Sequence, residues 1–86
     1  MRLEGLAAPR EGILVPAFPG DVVRLEKEGF WLYCQVDERL PNGDLLCRIV
    51  DAQSWPAIMT EGIRPGVGYA VAPANVLSVL ATGTGA

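Results

Sequence analysis

The chain contains no histidine, two cysteines and a single lysine among its 86 residues. The commonest general base and metal ligand is therefore absent, and two thiols are too few for a zinc site built by one chain. Nucleophilic catalysis by Cys34 would lack a histidine base, and Asp37 and Glu38, as neighbours on a strand, are predicted to point to opposite faces. We predict no metal site, no cofactor and no enzymatic activity for this chain.

Basic residues and long apolar runs are also scarce. The formal net charge is −3, and the arginines do not cluster as phosphate recognition requires, so nucleic-acid binding is disfavoured. The longest stretch without charge, 65–86, is broken by glycine and proline, whereas a membrane helix needs roughly 20 continuous apolar residues. No secretory apolar run precedes Pro9. We predict a cytoplasmic domain with no membrane segment.

What the sequence does contain is apolar residues, which make up 50% of the chain, divided by ten glycines and seven prolines. No interval between these breakers suits a long helix, and the intervals are rich in valine, leucine and aromatic residues. This pattern is typical of short strands joined by turns. We predict one all-β domain over residues 13–80, a lead-in segment over 1–12 and a disordered tail over 81–86.

The most informative segment is 30–38, in which side-chain character alternates. Leu32, Cys34 and Val36 occupy one face of the predicted strand, while Trp31 and Tyr33 occupy the other. The first face is predicted to build the core and the second to point outward. By the same reasoning we predict the following buried residues: Val23, Leu25, Leu32, Cys34, Val36, Ile49, Val71 and Val79.

Other segments give further strands. Residues 13–15 fit a first short strand, 21–26 a strand with one buried side, and 76–80 the closing strand, with a tight or single 3₁₀ turn before it at 73–75. A strand at 69–72 leads into that turn. The segment 51–68 is the least regular and is predicted to be a loop with one helical turn or a short strand near Ile58.

Pro41-Asn42-Gly43 lies between two apolar runs and predicts a hairpin. A two-residue turn at Asn42-Gly43 would pair Asp37 with Arg48, a favourable cross-strand charge pair. A type I turn with Pro41 in its second position and Gly43 in a bulge suits the proline better, because proline has no N–H to close the shorter turn. Both registers remain open.

The same two registers bear on the cysteines. In either one, Cys34 lies opposite a residue three or four positions from Cys47, a separation of about 10 Å or more along the strand. A disulfide needs Cα atoms within about 7 Å. Both thiols are therefore predicted to be reduced.

Three short motifs resemble those of SH3-like small β-barrels, and the match spans 19–80. Gly20-Asp21-Val22-Val23-Arg24-Leu25 is similar to the Gly-Asp strand, Gly29-Phe30-Trp31 to the exposed tryptophan, and Ala72-Pro73-Ala74-Asn75-Val76, preceded by Gly68, to the Pro-x-Asn turn. The resemblance implies about five short antiparallel strands with a 3₁₀ turn before the last.

The resemblance also implies a role. In peptide-binding members the tryptophan and the Pro-x-Asn-Tyr turn form a groove, to which Trp31, Pro73 and Asn75 would correspond, with Val76 in place of the tyrosine. Other barrels of this shape are accessory subunits or structural modules, and the fold does not choose among these roles.

We hypothesise that Trp31 and Tyr33 anchor a protein partner, supported by Arg48 if it pairs with Asp37. Alternatively, the loop 51–68 folds across the two aromatics as a second small core. A different function, binding of single-stranded nucleic acid, would stack bases on the same aromatics and use arginines on the phosphates.

Overall fold

The computed structural model describes residues 2–10 and 12–82. Its elements are, in chain order, β1 Val22–Lys27, β2 Phe30–Arg39, β3 Leu45–Ala52, α1 Trp55–Thr60, β4 Gly68–Val71, the 3₁₀ turn Pro73–Asn75 and β5 Ser78–Ala81. The five strands form one antiparallel sheet in the order β4-β3-β2-β1-β5. The predicted all-β class is confirmed, and the sheet is compatible with a small barrel-like fold.

The core lies on the inner face of this sheet. Side chains alternate along β1 and β2 between buried and partly exposed positions, as the sequence predicts for strands with one solvated face. Seven of the eight predicted core residues are buried, and the eighth, Val79, is partly buried against them.

Helix α1 adds to the same core. Ser54 caps its first turn by accepting a hydrogen bond from the Ala57 N–H through Oγ, at 3.4 Å, and Pro56 suits a first-turn position. Of the two alternatives predicted near Ile58, a helical turn or a short strand, the structure has the helix, and Ile58 is buried. Within the part of the chain that the structure describes, no helix has the length and apolar character to cross a bilayer.

The predicted lead-in segment docks across the sheet. The Leu3 N–H donates to the Ala70 carbonyl of β4 at 2.9 Å, and the Ala7 N–H donates to the Glu26 carbonyl of β1 at 2.8 Å. Leu3 is buried in the core. Residues 2–7 therefore link β4 to β1 from the side that β2 and β3 do not occupy.

The first strand predicted from the sequence, at 13–15, is wrong. Residues 12–20 have no strand, and within the described chain no strand pairs with residues 13–15. At the other end, Ala81 of the predicted tail closes β5, and residues 83–86 lie outside the described residues.

The β2–β3 hairpin adopts the turn with a glycine bulge. The Gly43 N–H donates to the Leu40 carbonyl at 2.9 Å, which places Pro41 in the second position of the turn. The Leu40 N–H then bonds the Asp44 carbonyl at 2.7 Å, and Gly43 has φ of 94°, a conformation that favours glycine. The two-residue alternative is therefore wrong.

The register that pairs Asp37 with Arg48 is also wrong. Arg48 lies opposite Gln35, and the ladder shifts between Val36 and Glu38, so that Asp37 is the extra residue of a bulge. The prediction that Asp37 and Glu38 point to opposite faces is wrong for the same reason, and both are exposed on the outward face. A second shift lies between Tyr33 and Cys34.

These shifts bring the cysteines closer along the ladder than predicted. Cys34 lies opposite Ile49, two residues from Cys47, and both are buried free thiols. Burial, with a smaller effect of the nearby Cys47, raises the pKa of Cys34 far above its usual value. Burial and the charge of Asp37 raise the pKa of Cys47 to about 12. Neither thiol is activated as a nucleophile.

Candidate functional site

Trp31 and Tyr33 project from the outward face of β2 as a stacked pair. Their ring centroids are 4.3 Å apart and the ring planes differ by 21°. Both residues are half-buried, and neither belongs to the core or packs against it. The two rings cover one face of each other and leave the rest of their apolar surface on the outside of the sheet.

Charged side chains flank the pair on both neighbouring strands. On β1, Glu26 lies opposite Trp31 and Arg24 lies opposite Tyr33. On β3, Asp51 lies opposite Tyr33. Among the described residues, no ion pair engages any of these three charged groups, and Arg24 Nε is buried without a hydrogen-bond partner.

The bulge in β3 enlarges the apolar part of this face. Because the ladder shifts between Tyr33 and Cys34, Val50 and Asp51 are both exposed, one after the other. Val50 therefore lies on the outward side beside the aromatic pair. Sequence reasoning missed Val50, because period-two alternation does not show where a bulge inserts an extra residue.

Arg48 lies on the same face and is held by two side chains. Its Nε and Nη2 donate to Asp37 Oδ2 at 2.7 Å and Oδ1 at 3.0 Å, and Nη2 also donates to Gln35 Oε1 at 3.4 Å. The hydrogen bonds to Asp37 and the charge of Asp37 raise the pKa of Arg48. The predicted contact between Arg48 and Asp37 thus exists, although Asp37 makes it from a bulge.

Pro73 and Asn75 lie on the 3₁₀ turn, away from this network. The Asn75 side-chain amide donates to the carbonyls of Leu6 and Ala7 at 3.3 and 3.4 Å, so it holds the docked N-terminal segment. In the described ranges, no hydrogen bond, ion pair or ring contact joins either residue to the aromatic pair. The structure therefore brings Trp31, Tyr33 and Arg48 onto one face. The side chain of Asn75 instead bonds the docked N-terminal segment.

The segment 51–68 meets Trp31 through the backbone. The Gln53 N–H donates to the Trp31 carbonyl at 3.0 Å, and the Trp31 N–H donates to Gln53 Oε1 at 3.2 Å. The buried side chains of this segment, Ala52, Ile58 and Ile63, belong to the main core rather than to a second one over the rings.

A second apolar surface lies on the loop before β1. Ile13, Leu14 and Phe18 are each about 60% exposed, whereas Ala17 between them is buried and accepts a hydrogen bond from Arg39. The signal for this surface is present in the sequence as nine uncharged residues, 12–20, that contain two prolines and lack strand alternation.

Comparisons with protein-family models, curated proteins and solved structures gave no match to this chain. Within residues 2–10 and 12–82, no three histidine, cysteine or acidic side chains are grouped to hold a metal. The candidate site consists of a half-buried aromatic pair, an adjacent exposed valine and a rim of charged groups.

Proposed function

We propose that this chain is a non-enzymatic interaction module or small accessory subunit that binds a protein partner through the outward face of β2. The observation that carries the proposal is the stacked pair of Trp31 and Tyr33, half-buried on the outward face and outside the core. Tryptophan and tyrosine dominate binding energy at protein interfaces, because a rigid ring buries a large area at low entropic cost.

We assign the module to the SH3-like small-barrel class. The strand order β4-β3-β2-β1-β5 and the 3₁₀ turn before β5 support this assignment. The docking of residues 2–7 between β4 and β1 supports a closed rather than an open sheet. The fold class does not determine the role, which we infer from the aromatic face of β2.

Single-stranded nucleic acid is the competing ligand, because Arg24 lies beside Tyr33 and bases would stack on the rings. We favour a protein partner because Arg48 is already neutralised by Asp37, and Glu26 and Asp51 would repel phosphates next to the same rings. Titration with an oligothymidylate at low and high salt separates the two. Binding that collapses with salt would support nucleic acid and contradict our proposal.

The protein-binding proposal is tested by affinity capture with three immobilised proteins: the wild type, Trp31→Ala and Phe18→Ala. Phe18 is the matched control, because it is an exposed aromatic on the other apolar surface. We expect one partner to be retained by the wild type and Phe18→Ala and to be lost from Trp31→Ala. Loss from Phe18→Ala alone would move the binding surface to the loop 12–20 and contradict the proposal.

A further inference from the structure

The outward face of β1, β2 and β3 is unevenly charged. Glu26 lies across from Trp31, and Asp51 lies across from Tyr33. Glu38 lies across from Leu46, which is on the outward face because its neighbours on β3 point into the core. The face carries four carboxylates against two guanidinium groups: Glu26, Asp37, Glu38 and Asp51 against Arg24 and Arg48.

One of these arginines is already neutralised. Arg48 makes a bidentate ion pair with Asp37, which leaves three carboxylates without an ion pair in the described residues. The remaining cation, Arg24, lies beside Tyr33 and has its Nε withdrawn from solvent. The free charge on the face is therefore negative.

The aromatic pair lies between two of the free carboxylates. Directly opposed residues on neighbouring strands have Cβ atoms about 4.5–5.5 Å apart, so Glu26 and Asp51 flank the rings from the two neighbouring strands. Asp51 Oδ1 accepts a hydrogen bond from the Ala52 N–H at 2.9 Å. Tryptophan is the ring that attracts a cation best, and tyrosine does so as well. A positive group over Trp31 would thus meet the ring and the carboxylates together.

We propose, on the basis of the function proposed above, that this face binds a protein segment through an arginine or lysine side chain. The cationic head lies over the Trp31 ring between Glu26 and Asp51, and the apolar stem lies along the rings toward Val50. Segments rich in aspartate or glutamate are rejected, because their charges face the same carboxylates.

Three fluorescein-labelled peptides test this proposal on the full chain: alternating glycine–arginine, glycine–glutamine and glycine–glutamate sequences of equal length. Fluorescence anisotropy gives the affinity. The indole N–H resonances of Trp31 and Trp55 locate the contact, and Trp55 serves as an internal control because it packs against the core in α1.

Two double variants remove the same net charge from different places. Glu26→Gln with Asp51→Asn removes the carboxylates beside the rings, and Glu4→Gln with Glu28→Gln removes two exposed carboxylates elsewhere. We expect the arginine peptide to bind the wild type and the second variant equally, and the first variant about fivefold more weakly. We expect only the Trp31 indole resonance to shift.

Equal weakening in both double variants would show non-specific attraction and overturn the proposal. So would equal binding of the three peptides, absence of arginine-peptide binding, or a shift of the Trp31 indole by an oligothymidylate instead. If a captured partner depends on Trp31 but not on Glu26 and Asp51, the proposed function stands and this inference fails.

Discussion

Replacement of Leu3 by alanine tests whether the N-terminal segment belongs to the folded domain. Leu3 is 7% exposed, so its replacement by alanine leaves a cavity where the segment crosses the sheet. The Leu3 N–H also donates a hydrogen bond to β4, which the substitution keeps. Leucine-to-alanine changes in cores cost about 2–5 kcal/mol. Because a short terminal segment can shift toward the cavity, we expect the low end, about 2–3 kcal/mol. For a domain of this size that lowers the melting temperature by about 10–20 °C.

The matched control is Leu14→Ala, which changes the same residue type in the same stretch before β1. Leu14 is 62% exposed, so its loss should change stability by no more than about 0.5 kcal/mol. Urea unfolding monitored by circular dichroism gives both values, and the midpoint should move without a change in slope. If Leu3→Ala is as harmless as Leu14→Ala, residues 2–7 are not docked and the closure of the sheet is wrong.

Four further results are expected. Val36→Asp should abolish folding in circular dichroism, since Val36 is fully buried and total stability is only about 5–15 kcal/mol; a folded variant would contradict the β2 assignment. Cys34 and Cys47 should resist alkylation in the native protein, and mass spectrometry should find both labelled after unfolding without a reductant. The contribution of the two thiols to stability should be constant below pH 9 and fall between pH 9 and 12, because the unfolded thiols ionise while the buried ones stay protonated; a flat urea midpoint across that window would exclude this cause. Gly43→Ala should cost about 1–2 kcal/mol in urea unfolding because φ is 94°, and an unchanged midpoint would contradict the glycine bulge.

The alternation of residues in β1 and β2 was sufficient to predict their faces. An antiparallel strand with one solvated side repeats every two residues, and Leu32, Cys34 and Val36 follow that repeat without a break. The separation of Trp31 and Tyr33 from the core followed from the same repeat. The hairpin turn was also accessible, because proline and glycine each restrict the backbone in a known way.

The strand register was not accessible in the same way. A bulge inserts one residue into one strand, and neither Asp37 nor Val50 differs in type from an ordinary outward residue. Arg48 still meets Asp37, because the bulged carboxylate reaches back across the ladder.

The docking of the N-terminal segment was equally hidden from the sequence. It depends on contacts between residues far apart in the chain, such as the one from Asn75 to Leu6. Local pattern contains no information on such pairs. The strand predicted at 13–15 was wrong because a short apolar run has the same local pattern whether or not a neighbouring strand pairs with it.

The central claim, that Trp31 serves binding rather than stability, is tested most directly by the affinity of Trp31→Ala for a purified partner, measured by calorimetry on protein shown to be folded. We predict a loss of about 2 kcal/mol or more, which is about 30-fold in Kd, with a melting temperature within a few degrees of the wild type. An unchanged Kd together with a sharply lowered melting temperature would contradict the claim and make the aromatic pair part of the structural framework.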